Sequence, residues 1–139
     1  MRVGIPRCLS FYYLFPLYRT FLDELGIPFV ETGSSTLRDL EELGLCPTDE
    51  PCVSVKIAFP HAANLIKRGV DALFVPTIVS LEEESFCCPK MMGLPSMLKS
   101  GLGLSDSQVI SPSIDVRDNP RRWKNTWIKA GRQLGVDDS

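Results

Sequence analysis

Four short apolar runs, separated by helical patterns, constrain this chain more than any other feature of its sequence. Arg2 to Ile5 comes first, and Ile27 to Glu31 follows Gly26. Ala72 to Val79 is the longest run, and Gln108 to Ser111 begins a fourth that continues to about Ile114. Between the first two, Phe11, Phe15, Tyr18, Leu22 and Leu25 recur at three- and four-residue spacing, the stripe of a helix with one buried face. Ser10 is its expected N-cap and Gly26 its stop, while Pro16 either kinks the helix or starts its regular part. Ser35 is the expected cap of a second helix, with Leu37, Leu40 and Leu43 inward and Gly44 at its end. Val55, Ala58, Ala62, Leu65 and Ile66 mark a third, closed by Gly69 and broken near Pro60. Leu81 to Ser105 is rich in proline and glycine and reads as a loop with one short helix at Ser96 to Ser100. Asn119 and Pro120 open the last helix, with Trp123, Trp127, Ala130 and Leu134 on its core face and Gly135 at its end. Strands that alternate with helices in this way form a mostly parallel, four-stranded sheet with helices on both faces.

The 139 residues suit one domain, placed at 1–135 with a frayed tail at 136–139. Apolar residues make up 44% and charged residues 23%, a globular balance. No apolar run approaches the roughly 18 residues of a membrane span. A net charge of −2 gives no electrostatic case for a nucleic-acid partner. The N-terminus lacks a secretory pattern, so a cytoplasmic setting is expected. Five cysteines are many for such a setting, and their odd number argues against a closed disulfide framework.

In an open α/β sheet, ligands sit beyond the carboxyl ends of the strands. Those loops are Pro6-Arg7-Cys8, Thr32-Gly33-Ser34-Ser35, Ser80 to Lys90, and Ile114 to Asn119. No dinucleotide fingerprint, phosphate loop, nucleophile elbow or Cys-x-x-Cys pair is present. What remains is Cys46, Cys52 and the Cys87-Cys88 pair about 35 residues on. Thiolate sites of irregular spacing suit iron–sulfur clusters, in which Cys-Pro, here Cys88-Pro89, recurs.

The segments VGIPRCLSFYYLFPLYRTFLDELGI, DEPCVSVKIAFPHAANLI, ALFVPTIVS and CPKMMGLPSML, followed by ISPSIDVRD, together resemble one family. It is the acyl-CoA dehydratase activase-related family, relatives of the 2-hydroxyacyl-CoA dehydratase and double-cubane cluster proteins. The resemblance runs over roughly Met1 to Gly135 and covers only the N-terminal domain of longer members. It implies a Rossmann-like three-layer domain and an iron–sulfur cluster held by cysteines from several domains. It also implies an ATP-hydrolysing activase that delivers low-potential electrons. Carried over by position, it makes Cys52 and Cys88 cluster ligands. Cys46 and Cys87 are extra relative to the family pattern and are further candidates, whereas Cys8 stands where the family has a small residue. The remaining thiolates are expected from a partner chain or a second copy.

Lys56 and Lys90 lie near the candidate ligands and are expected to offset cluster charge. Arg7 stands at the mouth of the crevice, where it can meet an anionic ligand or a neighbouring acid. His61 sits in a helical stripe, near the site by resemblance or as a satisfied structural residue. Phe11, Tyr12, Tyr13 and Phe15 are expected mainly in the core, with any exposed remainder meeting a partner. The leading expectation is an iron–sulfur electron-transfer domain or subunit. The alternatives are a cluster-free interaction domain and a domain that binds an anion at Gly33-Ser34-Ser35.

Overall fold

A computed structural model describes residues 1–137. Strands β1 (Val3–Ile5), β2 (Phe29–Glu31), β3 (Ala72–Phe74) and β5 (Val109–Ile110) form a parallel sheet in the order β2-β1-β3-β5. The sheet and its flanking helices make an α/β, Rossmann-like three-layer fold, as the alternating pattern requires.

Two of the expected strands are interrupted. The Ala72 to Val79 run stops at Pro76 and resumes as β4 (Thr77–Ser80). The fourth run stops at Pro112 and resumes as β6 (Ser113–Asp115). Strands β4 and β6 pair in parallel as a separate ribbon. Proline has no N–H to give the ladder, so each long strand breaks at its proline. The flanking residues bridge the break: Val75 N–H donates to the Ile110 carbonyl and Thr77 N–H to the Pro112 carbonyl.

Alternation along β3 divides the core in two. Ala72 and Phe74 join Val3, Ile5 and Ile110 against α1 (Phe11–Glu24) and α7 (Pro120–Gln133). Leu73 and Val75 face the other way, onto α4 (Ala58–Lys67) and α6 (Leu94–Leu102). Gly4 lets α4 approach, because a Cβ there would stand 3.1 Å from side-chain atoms of Leu65 and Val70.

Helix α1 begins at Phe11 and runs through Pro16 without ending. Helix α2 (Leu37–Glu41) is capped by Thr36, not Ser35, in a reciprocal box with Asp39. It buries no side chain: Leu37 is 80% exposed and Leu40 47%, so the expected inward stripe is absent. The self-satisfied cap fixes this short helix without a packed face. The third helical pattern divides at Ile57, not Pro60, into α3 (Val53–Lys56) and α4. Pro60 lies in the first turn of α4, where a missing N–H costs no helical bond. The expected 81–105 loop contains two helices, α5 (Pro89–Met92) and α6, each with proline at its start. Tyr12 and Tyr13 are exposed, whereas Phe11 is buried. Val136 N–H donates to the Gly131 carbonyl. The end of the expected frayed tail, Asp138 and Ser139, lies outside the described residues.

Candidate functional site

The strand order reverses between β1 and β3, which is where a doubly wound sheet opens its ligand crevice. Here that crevice is filled. Pro6, Cys8, Leu9, Tyr18, Val75 and Leu94 are among the side chains that reduce it to about 20 Å³, room for about one water. Burial pushes the Cys8 thiol up to about 12, which keeps it protonated at neutral pH. Leu9 takes a left-handed φ of +44° to make the turn into α1, a conformation that strains a residue with a side chain.

Open space lies instead beyond β2. A polar cavity of about 410 Å³ is lined by Thr32, Ser34, Asp39, His61, Asn64 and Lys67, among others. His61, 2% exposed, is the chain's only histidine. Its Nδ1 lies 2.5 Å from Thr32 Oγ1 and its Nε2 lies 3.0 Å from Ser35 Oγ. Thr32 Oγ1 already accepts the Arg7 backbone N–H at 2.9 Å. The Thr32 hydroxyl thus joins that amide to the ring, and the ring's other nitrogen, Nε2, also lies 3.9 Å from the Asp39 carboxylate. Burial lowers the pKa of His61, opposed by Asp39 and reinforced by Arg7. The ring is therefore a neutral clasp joining β2, the following loop and α4.

Arg7 Nη2 meets Glu31 Oε1 at 2.7 Å, and its Nη1 lies 3.5 Å from Ser34 Oγ. The expectation for Arg7 thus resolves to an acid of the neighbouring strand end. The Glu31 contact also raises the Arg7 pKa. The α2 cap is reciprocal: Thr36 N–H goes to Asp39 Oδ2, and Asp39 N–H to Thr36 Oγ1.

The cysteines divide by exposure. Cys46 is 7% exposed and belongs to the core against α4 and α6. Cys87 is half-buried against the core under α1 and α7, and burial raises its pKa. Cys52 and Cys88 are exposed. Each is the N-cap residue of a four-residue helix, Cys52 for α3 and Cys88 for α5. Their segments meet through Lys90 Nζ and Glu50 Oε2, 2.9 Å apart. Glu50 and Lys90 each stand two residues from a cysteine. That contact lowers the Glu50 pKa. Lys56 Nζ lies 3.9 Å from Asp49 Oδ1, a contact that spans Cys52 in sequence. His61 and Arg7 bond within the Thr32 cluster and not to this segment pair. Among the described residues, no group of three or more His, Cys, Asp and Glu side chains is placed to hold a metal ion.

Sequence reasoning placed Thr32 in a ligand loop but did not join it to His61. It also passed over Asp39. The spacing Thr36-x-x-Asp39, a capping-box pattern, was the available signal for the latter.

The parallel sheet and its flanking helices define an α/β domain of doubly wound type, with a closed switch point, a clasped histidine and two exposed N-cap cysteines. The family model for the CoA enzyme activase uncharacterised domain (DUF2229) matches residues 2–139, and the chain belongs to that family. No curated protein and no solved structure matches the chain. Among the described residues, no helix is long and apolar enough to cross a membrane.

Proposed function

We propose that this chain is a thiolate-contributing domain of an iron–sulfur electron-transfer system related to 2-hydroxyacyl-CoA dehydratase components. Cys52 and Cys88 are its ligands, and the rest of the ligand set comes from a partner chain or a second copy. One observation carries the reading: the two exposed cysteines sit on segments tied together by the Glu50–Lys90 contact. Thiols that cap short helices at a surface are open to a further ligand-bearing surface in a way that buried Cys46 and half-buried, protonated Cys8 are not. A reducing, cytoplasmic setting keeps such thiols free. When bound, a cluster would carry one electron at low potential, received from an ATP-dependent activase. This chain's own part is to present two sulfurs, to hold their segments in register, and to keep Lys90 and Lys56 close by.

Anaerobic purification with iron and acid-labile sulfide assay tests this. The expected result is brown protein with iron shared between copies or with a co-purified partner, lost in Cys52→Ser and Cys88→Ser but retained in Cys46→Ser. Protein that stays colourless through cluster reconstitution, alone and with its partner, would overturn it.

A second reading, a cluster-free interaction domain, is favoured by one observation. Leu37, Leu40, Leu45 and Val53 are all exposed around α2 and the start of α3. It expects complex formation that survives Cys52→Ser and Cys88→Ser but fails on Leu37→Glu.

A further inference from the structure

Helix α2 is turned inside out relative to an ordinary surface helix. Its polar side chains Arg38, Asp39 and Glu42 line the polar cavity shared with Asn64 and Lys67 of α4. Leu37 and Leu40, at the three-residue spacing of one helix face, are left exposed. An amphipathic helix normally turns such a stripe to the core. Two contacts hold α2 in this rotation: the reciprocal Thr36–Asp39 cap, and Asp39 Oδ2 at 3.9 Å from His61 Nε2. The apolar patch continues past α2. The 3-10 turn Leu43–Leu45 packs against both α2 and α3, and Leu45 and Val53 on these elements are exposed as well.

The charges beside the stripe are arranged to suit a copy of themselves. Arg38 follows Leu37 and Glu41 follows Leu40, so both border the same side of the stripe, and both are exposed. The Arg38 side chain is held only by a 3.4 Å contact to Glu42. A two-fold axis lays α2 antiparallel on its counterpart and keeps each flank on its own side. Leu37 of each copy then meets Leu40 of the other, and Arg38 of each meets Glu41 of the other. A flank that carries one cation and one anion in this order is complementary to itself under that rotation. A partner of a single charge sign would be repelled by half of it.

We infer that this face pairs two copies of the chain, α2 against α2, in a two-fold dimer. Burial of Leu37, Leu40, Leu45 and Val53 drives the association, and the Arg38–Glu41 pairs set its register. The patch is small for a protein–protein interface, so the pairing is weak and reversible. Cys52 directly precedes Val53, which places the seam beside one of the proposed ligands. Such a dimer is the second copy that the cluster reading allows as a source of further thiolates; that role rests on the cluster reading, whereas the pairing itself does not.

Sedimentation equilibrium of the full chain, metal-free and in reductant, over about 1–200 μM reads the pairing. The expected result is a monomer–dimer equilibrium with a dissociation constant in the micromolar range. Leu37→Glu, which leaves a charge in the seam, should weaken it at least about tenfold. Arg38→Glu and Glu41→Arg, with the fold checked by far-UV circular dichroism, should each weaken it several-fold. An equimolar mixture of these two variants should associate nearly as the wild type does, because each then carries the charges the other lacks. The double variant Arg38→Glu/Glu41→Arg should likewise recover. A chain that is monomeric throughout, a dimer indifferent to Leu37→Glu, or single charge variants that mixing does not rescue would overturn the inference. Because the protein is metal-free and reduced, a monomer here leaves the cluster reading with a partner chain, and colourless protein in the iron assay leaves the dimer standing.

Discussion

The two polar regions at the carboxyl edge of the sheet are held in opposite ways. Around β2, a buried histidine is bonded at both ring nitrogens, and its Thr32 partner also takes a backbone amide. Around Cys52 and Cys88, the helices are four residues long, their caps make no side-chain hydrogen bond, and one exposed ion pair joins them. Buried, fully used hydrogen bonds fix a geometry, because breaking one strands a group away from water. An exposed ion pair over short helices adds little stability and leaves the geometry adjustable. The first region is scaffold. The second can settle onto an incoming ligand or partner.

That contrast can be broken most directly at its rigid end. His61→Ala removes a buried ring and both its bonds, and is expected to cost about 3 kcal/mol in urea unfolding. A loss below about 1 kcal/mol, in the range of an ordinary surface change, would mean the clasp is not structural. Thr32→Val keeps the shape but strands the Arg7 amide and the His61 Nδ1, for an expected loss of about 1–3 kcal/mol.

Acid sharpens the same comparison. The folded-state pKa of His61 lies below its ordinary 6.5 because burial disfavours the charged ring. As pH falls through 6.5, the unfolded chain takes up the proton first. Stability contributed by the neutral ring is therefore complete above 6.5 and declines from there down to the folded-state pKa. The urea midpoint should drop across that window in the wild type and show less slope in His61→Gln. Because His61 is the sole histidine, its ring resonances can be titrated without assignment.

Thiol chemistry probes the loose end. Brief iodoacetamide treatment at pH 8 followed by mass spectrometry should label Cys52 and Cys88 first and leave Cys8 and Cys46 until the chain is unfolded. Early labelling of Cys46 would remove the division on which the proposed ligand pair rests. The smallest effect is expected from Glu50→Gln: no measurable shift in the urea midpoint, but slower cross-linking of Cys52 to Cys88 by a short bis-maleimide. An unchanged cross-linking rate would show that the ion pair does not hold the two segments together.

The class of fold was legible because it depends on period and order, which are written along the chain. The stripe from Phe11 to Leu22 and the buried β3 run each required a layer to cover them, and alternation required parallel pairing. The Asn119-Pro120 helix start was legible for the same local reason: its cap is made by its own next residues, with Asn119 Oδ1 accepting the Arg122 N–H. Where a tertiary contact decides, local pattern misled. Leu37 and Leu40 carry helical spacing, yet nothing packs over them. The Ala72 to Val79 run reads as one strand until the missing donor of Pro76 divides it.

By itself, then, the sequence determined a parallel α/β domain and the five cysteines from which any sulfur chemistry must draw. Only the folded chain decided which of them face outward, that the switch-point crevice is closed, and that His61 bonds to Thr32 and Ser35. Periodicity records how much surface an element must bury. Which side chains from Thr32, His61, Glu50 and Lys90 meet is set by long-range packing between segments distant in sequence, and no local pattern carries that information.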